Sequence, residues 1–585
     1  MAGKGIYERV PKAVEDIQVN FCRNPKCPNF GVPASTEAQP RGPGARDRGR
    51  DAYEKDIHSK TAPVLVCLYC REEPALKSNL GIYEEFARFR AYLAPRPTMA
   101  CPKEDCQSHK ENFAEIQFQL FGKTRSGSQR FRCKVCGTVF SIAAPTNRQR
   151  VPHKNLTVFR LLVNKMPFRR ICEVANISPK TLYRKIDFIH RQCILFAGNR
   201  ERTLPEKVIR RLYVGVDRQD YTVNWTSSTD RRNVQLGAVA AADNATGYVF
   251  ATHLNFDPSV YPRDIEKETR AIGDYSKDPP FRRYARLWTE KDYFDSLQRR
   301  SGDRLKSGKG SLMNDITLAY ENAAERADSE VSEAQDEDTM LPLSGMQVHA
   351  EYTLYGHFFF LRKLFENIEK VRFFLDQDSG IRGACLTAFC DRIKQARCDA
   401  FYVRIESEIT IDEKRSILAD SRRKFAVMKA LHPDLQDSQV KLLMIKEKLK
   451  ELKAVGKWND RWVEHPFPNM GEPEKAMCYL TDMQGYDEDH VAWLYNKASL
   501  HAVDGFFMQV RRRLSLLERP ISSASNTGRR WHGYGPYNPA MVAKLLDIFR
   551  VFYNYVEAGK DKQTPAMRVG LAKGKIEIEN IIYYQ

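Results

Sequence analysis

The chain has 585 residues, with 93 Lys and Arg against 74 Asp and Glu, a formal net charge of +19. That is too long for one ordinary core, and 42% apolar with 29% charged residues excludes a globally disordered chain. No run of 18 apolar residues occurs, which excludes a membrane span, and Met1-Ala-Gly-Lys-Gly-Ile-Tyr-Glu-Arg9 lacks the apolar core of a secretion signal. A soluble protein of the cytoplasm or bacterial nucleoid is expected.

The first 136 residues hold eight cysteines in two similar arrays. Cys22-x4-Cys27 is followed 39 residues later by Cys67-x2-Cys70, and Cys101-x4-Cys106 is followed 26 residues later by Cys133-x2-Cys136. Four thiolates close a tetrahedral structural zinc site, so the arrays predict two zinc ribbons with one Zn²⁺ each. Disulfides are disfavoured in a reducing compartment. Gly137 after the last cysteine lets the knuckle turn close, and Phe131 and Phe140 can cover the metal. Pro40–Arg50, inside the first array, reads as a flexible basic loop. His109 reads as a bystander, and Cys172, Cys193, Cys385, Cys390, Cys398 and Cys478 as buried small hydrophobes.

Residues 101–200 hold 19 Lys and Arg against 6 Asp and Glu, so +13 of the +19 sits in one segment. Such clustering points to a polyanion, nucleic acid first. Residues 155–196 read as helical: Ile171, Val174 and Ala175 form one apolar repeat, and Leu182, Ile186 and Ile189 another. Between them Ser178 suits an N-cap and Pro179 the first helical position. The pattern fits a helix-turn-helix that presents Lys180, Thr181, Tyr183, Arg184 and Lys185 to DNA. An ordinary helical hairpin with a solvated basic face is the plainer reading.

Arg211-Leu-Tyr-Val-Gly-Val-Asp217 reads as a short strand ending in an acid, followed by a hairpin over Val234–Asp243 and Tyr248–Asn255. This is how ribonuclease-H-like nuclease folds begin. Val371-Arg-Phe-Phe-Leu-Asp376-Gln-Asp378 repeats the strand-then-acid pattern. His501–Leu514 reads as a helix with Asp504, Met508, Arg511 and Arg512 on one face. Three acids can hold two divalent cations about 3.5–4 Å apart for phosphodiester chemistry, and oxygen ligands suit Mg²⁺ or Mn²⁺. Glu321–Met340 is acidic, lacks aromatics and reads as a mobile loop. Residues 399–500 read as a mostly helical insertion, with Trp458, Trp462 and Trp493 as core or interface residues.

Taken together, "FRCKVCGTVFS", "FRRICEVANISPKTLYRKIDFI" and "LYVGVDRQDYTVNW" resemble bacterial insertion-sequence transposases of the DDE/DDD type. "VDGFFMQVRRRLSLLERPISSASNTGR" resembles the third-acid helix of that group, and "FYNYVEAGKDKQTPAMRVGLA" its C-terminal segment. The resemblance implies a multidomain α/β protein: N-terminal zinc ribbons (residues 1–98 and 99–150), a helix-turn-helix (151–200) and a ribonuclease-H-like mixed-sheet core. The core would run over 205–398 and 501–585 around the insertion 399–500. It further implies cleavage of mobile-element ends with two Mg²⁺ or Mn²⁺ ions and transfer of the 3′-hydroxyls to target DNA. A homodimer or larger assembly would synapse two double-stranded ends, with no membrane partner.

Carried across, Asp217 is the first acid and Asp376 or Asp378 the second. Asp504 is the third, with Glu518 as its rival because the group more often has Glu there. Arg511, Arg512 and Arg513, with Arg519, Arg529 and Arg530, would grip the DNA backbone. The alternatives are a DNA-binding regulator derived from a transposase, without catalysis, and a metal-dependent nuclease that cleaves without joining.

Overall fold

The computed structural model describes residues 9–37, 39, 50–56, 63–94, 101–110, 118–125, 128–141, 145–146, 149–223, 234–299, 311–325, 341–406, 409–483, 485–518, 521–522, 530–531 and 538–584. The basic stretch 40–49 and residues 326–340 of the acidic segment lie outside the described residues. The chain forms two compact units: Met1–Phe89, Val208–Gln509 and Gly535–Ala543 make the first, and Arg90–Lys207, Val510–Tyr534 and Lys544–Gln585 the second. Among the described residues no helix is long and apolar enough to cross a membrane.

The first unit is built on a mixed sheet of eight strands: β1 Arg211–Val223, β2 Val234–Asp243, β3 Val249–Leu254, β4 Lys370–Asp376, β5 Cys398–Glu406, β6 Lys453–Val455, β7 Asp460–Glu464 and β8 Glu474–Tyr479. Their order is β6-β7-β8-β5-β4-β1-β2-β3. β1, β2 and β3 form an antiparallel meander. β4 runs parallel to β1 and to β5, and β8, β7 and β6 extend the far edge antiparallel. The central strands are apolar runs because both faces of the sheet are covered: Val214, Val216, Ala240, Phe373, Phe374, Leu375 and Phe401 are fully buried.

Three expectations change here. β1 does not end at Asp217 but continues to Val223, because its outer half pairs with β2 alone. The segment 399–500 is not mostly helical: it holds the helices Ile411–Leu431, Asp437–Leu449 and Glu488–Lys497, but it also supplies nearly all of β5 and the whole of β6, β7 and β8. Helix Leu312–Glu325 runs into the start of the acidic segment that reads as loop.

The second unit carries the antiparallel strands Phe118–Lys123, Gln129–Cys133 and Val139–Ser141. Helices Asn155–Leu162, Phe168–Ala175 and Pro179–Glu201 follow. Ser178 caps the third of these by accepting from the Thr181 N–H at 3.3 Å, with Pro179 at its first position. Ile171, Ala175, Leu182, Ile186 and Ile189 are buried as the periodicity predicts, whereas Val174 is 60% exposed. Helix Ile578–Ile582 packs on this group, and Gln192 Nε2 donates to the carbonyls of Ile582 at 3.0 Å and Tyr584 at 2.8 Å.

Candidate functional site

Register brings two of the three acids together. β4 pairs with β1 from Lys370↔Arg211 to Leu375↔Val216, so Asp376 and Asp217 come next in the same row. Both stand at the carboxyl edge of the parallel strands, where open α/β sheets bind ligands. The third acid arrives from helix His501–Arg513. Gly215 lies two residues before Asp217, on the same face of β1. A methyl group on Gly215 would lie 3.4 Å from Val503 Cγ1 and 3.6 Å from Leu500 Cα, so the start of the helix sits directly over this face. Asp504 follows Val503 in the helix's first turn.

The electrostatics report the same convergence. Burial lifts the Asp217 carboxyl well above its ordinary range, and the charges of Asp376 and Asp504 push it further. Burial lifts Asp376 to about 6 against the pull of Arg404, with Asp378 adding to the rise. The trio remains open: among the described residues only the two cysteine quartets have ligand atoms all within 4.8 Å of one another.

Asp376 and Asp378 do different work. Asp378 Oδ1 accepts from the N–H groups of Gly380 at 2.7 Å and Ile381 at 3.0 Å, which caps helix Ser379–Ala388. Its other oxygen faces Arg218 Nη1 at 3.4 Å. Asp376 is the acid beside Asp217. Glu518 belongs to the second unit, where it pairs with Lys165 at 2.7 Å, so Asp504 is the acid placed with the other two.

Sequence reading missed the residues that hold Asp504's helix. Asn244, just after β2, donates to Ser499 O at 2.7 Å and accepts from the Ala502 N–H at 3.3 Å. Buried Glu472 accepts from the Leu500 N–H at 3.1 Å and pairs with Lys475 at 2.9 Å, and Lys475 donates to Ala498 O at 2.8 Å. The Asn–Gly hairpin turn was visible, but its bond to a helix more than 250 residues away was not.

Each cysteine quartet fits one tetrahedral zinc ion. With Zn–S bonds of about 2.3 Å, the edge of an S₄ tetrahedron is about 3.8 Å. Cys22–Cys70 and Cys27–Cys67 Sγ separations are 3.4 and 3.7 Å, and Cys101–Cys136 and Cys106–Cys133 are 3.3 and 3.8 Å. These distances are far beyond a disulfide of about 2.05 Å. Gly137 adopts φ +74° and donates to Cys133 O at 2.9 Å, closing the turn as expected. Phe131 and Phe140 pack against the second quartet. His109 Nδ1 contacts Cys101 O at 2.5 Å and is not a member of that quartet.

The basic residues divide. Lys180, Tyr183 and Arg184 are exposed and Thr181 is half-buried. Lys185 is not a surface residue: it is 3% exposed, and Nζ donates to Asn155 Oδ1 at 2.6 Å, Val151 O at 3.0 Å and Arg150 O at 3.2 Å. It sits on the buried stripe between Leu182 and Ile189. Arg512 is exposed, whereas Arg513 donates to Asn164 Oδ1 at 3.1 Å and pairs with Glu557. Arg511 is half-buried, and the side chains of Arg519, Arg529 and Arg530 lie outside the described residues. A patch not anticipated stands on the second quartet's sheet: Leu120 is 68% and Phe121 42% exposed, with the guanidinium groups of Arg130 and Arg132 over the Phe121 ring at 5.4 and 5.9 Å.

Comparison with protein-family models and with curated proteins returns no match.

Proposed function

We propose that the protein is a DNA transposase that binds the ends of a mobile element, cleaves them with divalent metal and joins the 3′-hydroxyls to target DNA. The observation that carries this reading is the approach of Asp217, Asp376 and Asp504 to one another from three distant segments. Crowding three carboxylates is costly unless a cation offsets it, and oxygen donors suit Mg²⁺ or Mn²⁺. The meander β1-β2-β3, continued by parallel β4 and β5, supports a ribonuclease-H-like core.

Asp217, Asp376 and Asp504 would hold the ions, which supply an activated nucleophile and a stabilised leaving oxygen. Arg218, whose N–H donates to Asp217 Oδ1 at 2.7 Å, brings a cation to the edge that a phosphate must approach. Lys180, Thr181, Tyr183 and Arg184 on a helix-turn-helix, with Phe121, Arg130 and Arg132 on the second ribbon, would grip the duplex; Arg511 and Arg512 would add backbone contacts. Two structural zinc ions would sit in the quartets, and two or more chains would synapse two ends.

The test is incubation of the purified protein and Mg²⁺ with duplexes taken from the DNA flanking its own coding sequence, followed by mapping of nicks. Asp217→Asn should lower cleavage at least about a thousandfold, since several kcal/mol of charge stabilisation is lost. Binding should stay within about twofold. Full cleavage by that variant, or no cleavage by the wild type, would overturn the reading.

A further inference from the structure

The first cysteine quartet is fastened to the acid-bearing core at several points. Glu72, almost fully buried, places Oε2 3.1 Å from Cys22 Sγ and accepts the Arg23 N–H. Its other oxygen faces Arg23 Nε at 3.4 Å. Arg23 then donates to the Tyr355 hydroxyl at 3.1 Å, on helix Ala350–Leu364. The same guanidinium fills the space over Gly383, where a methyl group would collide with Nη1.

Two further contacts close the seam. Gly31, held at φ +63°, brings the first knuckle so near Cys390 that a methyl there would lie 3.2 Å from its Sγ. Lys457, in the β6–β7 turn, donates to Arg71 O at 3.1 Å, next to Cys70. Gly383 belongs to helix Ser379–Ala388, which is buried from Ile381 to Ala388, is capped by Asp378 and begins three residues after Asp376. A continuous chain of contacts therefore runs from Cys22 through Glu72 and Arg23 to the helix that leaves the second acid.

We propose that the first quartet, with zinc bound, is a buttress for the acid site: it seats helix Ser379–Ala388 and thereby Asp376, and it takes no part in reading DNA. The proposal rests on the reading of Asp217, Asp376 and Asp504 as a cation site. Structural zinc contributes folding free energy outright, so the knuckles that aim Glu72 and Arg23 depend on it. Arg23 and Glu72 act as positioning residues, because neither touches the acids.

The test uses the full-length protein in three variants: Cys70→Ser, Arg23→Met and, for reference, Cys136→Ser. Zinc content, hydrogen exchange over 379–388, Mn²⁺ affinity by electron paramagnetic resonance and affinity for flanking-DNA duplexes are measured on each. Cys70→Ser should lose one zinc, speed exchange over 379–388 at least tenfold, weaken Mn²⁺ binding at least fivefold and keep duplex affinity within twofold. Arg23→Met should keep both zincs yet reproduce the faster exchange and weaker Mn²⁺ binding, so the proposal stays open to refutation if Cys70→Ser does not fold. Unchanged exchange in Arg23→Met overturns it, as does a loss of duplex affinity in Cys70→Ser equal to that in Cys136→Ser. A wild type that binds no Mn²⁺ sensitive to Asp217→Asn sinks the cation-site reading instead; the exchange measurement still decides the buttress.

Discussion

The two cysteine quartets share their knuckle spacing and nearly the same sulfur separations, yet their surroundings differ. The first is bonded through Glu72 and Arg23 to Tyr355 and through Arg71 O to Lys457, segments hundreds of residues away, and its knuckle rests on Cys390. The second packs against Phe118, Phe131 and Phe140 of its own sheet, and that sheet leaves Leu120 and Phe121 exposed beside two arginines. The cysteines themselves are equally buried, so the contrast lies in their neighbours: distant core segments for one, a basic and aromatic sheet face for the other. The same ligand set thus stands in two different settings, and the flanking residues set what each quartet can touch.

The sharpest way to break that contrast is to remove a ligand from the second quartet. Cys133→Ser should halve the bound zinc and lower affinity for flanking-DNA duplexes at least about tenfold, since a closed structural zinc site holds its small sheet folded. Hydrogen exchange over 379–388 should not move. Metal analysis, a binding titration and exchange on the same preparation check all three, and retained duplex affinity would erase the distinction between the quartets.

How far these assignments could be read in advance depended on range. The knuckles, the apolar strands around Asp217 and Asp376, and the cap Ser178-Pro179 are local signals, and each is where the spacing places it. What escaped was long-range. β8, Glu-Lys-Ala-Met-Cys-Tyr, is short and follows Lys-rich helical periodicity, so nothing nearby marks it as the partner of β5. The choice between Asp376 and Asp378 turned on which carboxylate caps a helix. Lys185 shares a buried stripe with Leu182 and Ile189, but its charge argued for solvent, and only the three oxygens around Nζ explain its burial. The exposed Phe121 between Arg130 and Arg132 has no sequence pattern of its own.

A smaller effect should separate the units by pH. Asp217 and Asp376 both hold protons more tightly in the folded first unit than in an unfolded chain, and Asp376 is lifted to about 6. A raised carboxyl contributes stability that is complete below the unfolded value and is lost as pH rises through the folded one. Without divalent cation, the first unit should therefore lose stability from about pH 4 upward, through about pH 6 for Asp376 and further for Asp217. For Asp376, a carboxyl lifted to about 6 sets an upper limit near 3 kcal/mol, and solvent reaching this half-buried group reduces it to ~1–2 kcal/mol, a few degrees in Tm. Mg²⁺ should restore the loss at pH 7 and do nothing at pH 4, and Asp376→Asn should flatten the profile. Melting followed by exchange in β4, against helix Pro179–Glu201 as the reference, checks that only the first unit responds. Equal responses in both units would count against the acids as the source.

The smallest expected effect is that of Lys180, one of two lysines five residues apart in the second unit. Lys180 is exposed at the start of helix Pro179–Glu201, where a phosphate can reach it; Lys185 is spent on protein oxygens. Lys180→Ala removes one phosphate contact at most, so duplex affinity should fall by a small factor and the log–log salt slope by about 0.9. Lys185→Met should leave that slope alone and instead destabilise the unit by ~1–3 kcal/mol, because the oxygens around Nζ lose their donor while remaining buried. Salt titrations and thermal melts on both variants test the pair. A changed slope in Lys185→Met would return that residue to the DNA surface, and an unchanged slope in Lys180→Ala would remove the helix's first turn from it.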